Sequence, residues 1–133
     1  MICSINGEPC TSSSRLLIRN SIQTEYETKL IKRVNNKVGH PLDPATEIGP
    51  LVSQDHFDKV TGYFDIAKED STTVAAGGVH VDGPGFFASP TLFINATNQM
   101  RIVREEISGP VLTSLPFLTE EDALQIANDT DLV

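Results

Sequence analysis

The chain has 133 residues, 39% of them apolar and 6% aromatic, which suffices for one domain with a hydrophobic core, falls short of two ordinary domains, and is too apolar for intrinsic disorder. Ten basic residues against eighteen acidic ones give a formal net charge of −8, which repels phosphate backbones and anionic membrane surfaces and argues against nucleic acid as a partner. No run is long and apolar enough to span a bilayer, and Met1-Ile2-Cys3-Ser4 lacks the basic and apolar stretches of a signal peptide, so the cytoplasm is the expected compartment.

The first informative segment is Asn6-Gly7-Glu8-Pro9-Cys10-Thr11-Ser12-Ser13-Ser14, a Gly-centred turn that runs into the β-prone Arg15-Leu16-Leu17-Ile18. Small polar neighbours leave the Cys10 sulfur reachable at a loop tip. A thiol attacks carbon only through its thiolate, so backbone N–H groups, a cation or a base must help it. By residue type alone the bland alternative stands, because a free cysteine is most often a small buried hydrophobe. Cys3 and Cys10 form no Cys-x-x-Cys pair and too few ligands for zinc, so both are expected as reduced thiols.

Tyr26, Leu30, Ile31 and Val34 recur at helical spacing, which predicts an amphipathic helix from about Gln23 to Asn36. Lys29, Lys32, Arg33 and Lys37 crowd its C-terminal half, where they favour the helix dipole and read as a solvated face. Two prolines in Gly39-His40-Pro41-Leu42-Asp43-Pro44 stop the helix and impose a loop as far as Pro50. Ser53 then reads as an N-cap, and Phe57, Val60, Phe64 and Ala67 mark a second helix that ends near Asp70.

Thr72 to Ala76 reads as a short strand closed by Gly77-Gly78, and Gly83-Pro84-Gly85 as a turn before an extended piece through Phe93-Ile94. The glycine spacing fits neither common nucleotide fingerprint. Ser108-Gly109-Pro110 separates the charged segment Met100 to Ile107 from a strand Val111 to Phe117. Thr119, with Asp122 three residues on, resembles a cap for a last helix through Ala123, Leu124 and Ala127. Strands alternating with helices argue for an α/β layer. His40, His56 and His80 lie on loops and a helix with no spacing that joins them, and each reads as structural or solvated.

Several motifs in register resemble the aldehyde dehydrogenase superfamily. Gly7-Glu8-Pro9-Cys10 sits where that family has its Gly-x-x-Cys nucleophile motif. Gly49-Pro50-Leu51-Val52-Ser53, Pro90-Thr91-Leu92-Phe93, Met100-Arg101-Ile102, Glu105-Glu106-Ile107-Ser108-Gly109-Pro110-Val111 and Ala127-Asn128-Asp129-Thr130 follow in the family's order. Within it, Met1 to Ile18 and Gly39-His40-Pro41-Leu42-Asp43-Pro44-Ala45-Thr46 most resemble the 5-carboxymethyl-2-hydroxymuconate semialdehyde dehydrogenases of aromatic catabolism.

The resemblance implies part of the family's catalytic domain, an open, mostly parallel sheet flanked by helices, over residues 1–133. It also implies an NAD-dependent oxidation in which Cys10 adds to the aldehyde carbon, hydride leaves for the nicotinamide, and the resulting thioester is hydrolysed by a water that a glutamate activates. The backbone N–H of Cys10 would share in stabilising the oxyanion. Glu106 matches the carboxylate that bonds the nicotinamide ribose, and its bland alternative is a surface carboxylate. Ser108 stands where the family usually has a Phe beside the nicotinamide, and a hydroxyl does not supply that apolar surface.

The family's NAD-binding domain, oxyanion-hole Asn, general-base Glu and cofactor-binding Lys have no counterpart in these 133 residues. The chain alone is therefore expected not to complete a turnover. Two functional classes stay open: the nucleophile-bearing fragment of an NAD-dependent aldehyde dehydrogenase, or a non-catalytic remnant or interaction module that keeps the fold and associates with itself or a longer relative. Exposed sheet edges would favour association in either case.

Overall fold

A computed structural model describes residues 5–34 and 38–130; Cys3, Asn36 and Lys37 lie outside the described residues. In chain order the elements are β1 (Arg15–Arg19), α1 (Gln23–Val34), α2 (Gln54–Glu69), β2 (Thr73–Ala76), β3 (Thr91–Ile94), α3 (Arg101–Arg104), β4 (Val111–Phe117) and α4 (Glu120–Asn128). The expected strands and helices occur in the expected order, with one addition, the short helix α3 in a segment for which the sequence suggested no element. Ser53 caps α2 by accepting a hydrogen bond from the His56 N–H, and Thr119 caps α4 by accepting from the Asp122 N–H. Both contacts satisfy donors that the first helical turn leaves open.

The four strands form one sheet in the order β1-β4-β3-β2. β1 and β3 both run parallel to β4, with Arg15 opposite Thr113 and Thr91 opposite Val111, and β2 closes the far side antiparallel to β3. This is the open, mostly parallel sheet flanked by helices that the sequence led us to expect. The parallel register places the N-terminal ends of β1, β3 and β4 along one margin. The segments entering those strands therefore meet there.

Alternation along the strands divides the core in two. Phe93, Val111 and Leu115 pack with Val60, Phe64 and Ala67 of α2 and with Ile102 and Val103 of α3. Leu92 and Leu112 face the other way, against Val34, Leu30 and Ile31 of α1. Phe93 and Leu92 are wholly buried, and truncating a buried Phe typically costs about 3–5 kcal/mol.

One expectation for α1 is corrected. Tyr26 is 45% exposed, and Glu27 occupies the buried stripe instead. Counting back from Val34 by three, four and seven residues gives Ile31, Leu30 and Glu27, so Tyr26, about a hundred degrees round from Glu27, lies beyond the edge of the stripe. Glu27 tolerates burial because the Ser114 hydroxyl on β4 donates to its carboxylate at 2.7 Å and the Gln23 amide donates at 3.1 Å. Buried carboxylates need such donors.

Close approach fixes a second junction. A Cβ added at Gly109, just before β4, would lie 2.8 Å from Cγ2 of Val60 on α2. The missing side chain leaves the room that the Val60 side chain takes against this backbone.

Candidate active site

Cys10 sits at the tip of a turn entering β1 and is exposed. The turn is built from two left-handed residues, Asn6 at φ 56° and Gly7 at φ 70°, followed by a tight reversal in which the Ser12 N–H donates to the Pro9 carbonyl at 2.8 Å. Asparagine and glycine are the residues that adopt left-handed backbone most readily. The Cys10 N–H has no hydrogen-bond acceptor among the described residues. Both the sulfur and this donor are available at the surface.

The turn is tied down on both sides. Asn6 Nδ2 donates to the Pro50 carbonyl and Asn6 Oδ1 accepts from the Gly49 N–H, each at 3.0 Å. Glu8 Oε1 lies 3.4 Å from Nδ1 of His56, in the first turn of α2. The same imidazole reaches the Ser108 carbonyl through Nε2. Three stretches of chain that are distant in sequence are thus joined: the nucleophile turn, the entry to α2, and the segment before β4.

Glu106 and Ser108 lie on that last segment, at the same margin of the sheet as Cys10. Glu106 is exposed and its carboxylate has no partner among the described residues. Its neighbour Glu105 is committed elsewhere, accepting from Arg101 Nε at 2.8 Å and from the Tyr63 hydroxyl at 3.0 Å. The Arg101 hydrogen bond holds the Glu105 carboxyl below its usual range. Burial, reinforced by the Glu105 hydrogen bond, pushes the Tyr63 hydroxyl upward. One carboxylate of the pair is structural and the other is free.

A cavity of about 320 Å³ is formed by the loops around Val38 to His40 and Val81 to Phe87. None of Cys10, Glu106 or Ser108 lines it. Cys10 and Glu106 are exposed and Ser108 is half-buried.

The structure brings the segments that carry Cys10, Glu106 and Ser108 to one margin of the sheet. Sequence reasoning missed Glu8 and His56 as supports. His56, read from sequence as structural or solvated, is structural: its ring bridges the two segments that carry the site residues. The available signal was position: His56 follows the Ser53 cap by three residues, so its side chain emerges where α2 begins.

A family model for the aldehyde dehydrogenase family matches residues 1–132. The chain belongs to the aldehyde dehydrogenase family. It is 44% identical to the 5-carboxymethyl-2-hydroxymuconate semialdehyde dehydrogenase of Escherichia coli over 98% of this chain and 29% of that protein. Against a betaine aldehyde dehydrogenase of Bacillus subtilis it is 40% identical over 93% of this chain and 26% of the relative. The crystal structure of betaine aldehyde dehydrogenase from Staphylococcus aureus in complex with NAD+ superimposes with a TM-score of 0.90 at 42% identity, covering 94% of this chain and 26% of that one. This aldehyde dehydrogenase chain spans between a quarter and three tenths of the length of the relatives it matches.

Proposed function

We propose that the chain is the nucleophile-bearing part of an NAD-dependent aldehyde dehydrogenase, a partial catalytic domain that works with a dinucleotide-binding domain carried elsewhere. The observation that supports it best is Cys10 exposed at a turn tip on the same sheet margin as the unpartnered carboxylate of Glu106. In this scheme Cys10 Sγ adds to the aldehyde carbon. The Cys10 N–H, free of internal acceptors, is suited to the oxygen that gains negative charge. Bound NAD would accept the hydride, and the thioester left on Cys10 would pass its acyl group to water.

The residues present fit the ribose of such a cofactor in one respect and not in another. Glu106 offers two carboxylate oxygens to vicinal hydroxyls. Ser108 offers a hydroxyl where an apolar wall is expected beside the nicotinamide, so Glu106 would act without that support. Among substrates we favour 5-carboxymethyl-2-hydroxymuconate semialdehyde, on the 44% identity to the Escherichia coli enzyme of that name.

Acyl transfer tests the role of Cys10. Incubation with an activated aryl ester should place an acyl thioester on Cys10, releasing the phenolate and a proton, and peptide mapping should find Cys3 little modified. A Cys10→Ser chain should stay unmodified. Equal, sluggish acylation of both cysteines would overturn the assignment and favour the interaction module. One observation supports that second reading: β1 ends the sheet with its outer edge unpaired by any described strand, as edges that recruit another chain do. Sedimentation showing a monomer at high concentration would sink it.

A further inference from the structure

Glu8 Oε1 and His56 Nδ1 face each other across 3.4 Å. Both atoms are shielded from solvent and neither has a hydrogen-bond partner among the described residues. On the far side of the ring, Nε2 meets the Ser108 carbonyl oxygen. A carbonyl oxygen only accepts, so Nε2 carries a hydrogen. A neutral ring would then turn the bare lone pair of Nδ1 toward a carboxylate oxygen where water does not reach. A buried acceptor left unpaired is destabilising, and here two of them would oppose each other. A single hydrogen between Nδ1 and Oε1 removes both penalties.

We propose that Glu8 and His56 hold one hydrogen between them, and that His56 is thereby a positioning residue clamping the Cys10 turn to the segment that carries Glu106 and Ser108. His56 touches Glu8, two residues before the thiol, and Ser108, two residues after the free carboxylate. The clamp therefore sets the separation of the two groups to which the proposed oxidation assigns work, and its catalytic meaning rests on that assignment. The other charged groups nearby do not replace Glu8: Asp55 and Lys59 on α2 and Glu106 on the facing segment are all exposed.

Two measurements test the clamp without reference to turnover. Nitrogen-15 spectra of the imidazole in the wild-type chain should show hydrogen-bearing character at both ring nitrogens of His56. A free, lone-pair Nδ1 would overturn the proposal. Hydrogen–deuterium exchange should then rise about tenfold in peptides spanning both 7–12 and 105–109 when Glu8→Ala or His56→Phe removes one partner. Glu8→Gln, whose amide can itself donate to Nδ1, should restore slow exchange in both.

Unchanged exchange in a folded Glu8→Ala chain would also overturn it, as would Glu8→Gln behaving like Glu8→Ala. The spectrum of the wild-type chain decides the matter even if a variant fails to fold. An intact clamp with no acylation of Cys10 would count against the proposed chemistry alone. Acylation without the clamp would count against the clamp alone.

Discussion

Replacing Asn6 separates what its side chain does for the nucleophile turn from what its backbone does. The side chain makes two hydrogen bonds of 3.0 Å, to the Pro50 carbonyl and from the Gly49 N–H. At about 1 kcal/mol net for each, their loss costs about 2 kcal/mol. The backbone at Asn6 is left-handed, with φ 56° and ψ 15°, which for alanine adds roughly 1 kcal/mol. Asn6→Asp keeps the acceptor and loses the donor, costing about 1 kcal/mol; Asn6→Gly should cost about 2 and Asn6→Ala about 3 kcal/mol.

Urea unfolding followed by far-ultraviolet circular dichroism gives these differences as shifts in midpoint at constant slope. The order Asp, Gly, Ala is the essential result. A glycine variant as stable as the wild type would show that the two side-chain bonds contribute nothing. An alanine variant no worse than glycine would show that the left-handed turn is not held in solution.

Other consequences follow from specific contacts. Gly109→Ala should destabilise the fold by about 1–3 kcal/mol through overpacking against Val60, and the same substitution should cost less in a Val60→Ala background, as a double-mutant cycle of thermal melts would show. Ser114→Ala should cost about 1–3 kcal/mol by removing a donor from buried Glu27; a change under half a kcal/mol would mean that water replaces the hydroxyl. Glu105 and Asp129 have carboxyls held below their usual range, Glu105 first by Arg101 and Asp129 first by the Asn98 amide and then by Arg104. A depressed carboxylate contributes stability above its unfolded value, and this is lost as pH falls through the folded one. Melting temperature should therefore drop below about pH 4, less steeply in Glu105→Gln. The effect should be modest, since both groups are substantially exposed.

Local chemistry made much of the fold legible. Ser53 and Thr119 announced their helices because a cap bonds within its own first turn, and β4 was bounded by Gly109-Pro110 because those residues interrupt regular pairing. Cys10 was placed correctly on an exposed turn because Gly7 and a run of small polar residues define a bend without outside help. The burial of Glu27 and the partners of His56 were not legible for the opposite reason. Their roles depend on Ser114, Glu8 and Ser108, which are remote in sequence and which only the sheet register and the seating of α2 bring close. Periodicity predicts that a stripe faces inward, but whether a carboxylate in it finds a donor is decided across the sheet.

The absence of any side chain at Gly109 has a mechanical result. α2 meets the stretch from Glu105 to Pro110 three times, through the His56 ring at its beginning, through Val60 one turn later and through the Tyr63 hydroxyl on Glu105. Three anchors spread over about two helical turns leave little freedom to swivel. A push delivered at Glu106 should be borne by the whole rod of α2 and carried to its far end at Glu69, so that the carboxylate and the helix shift as one piece.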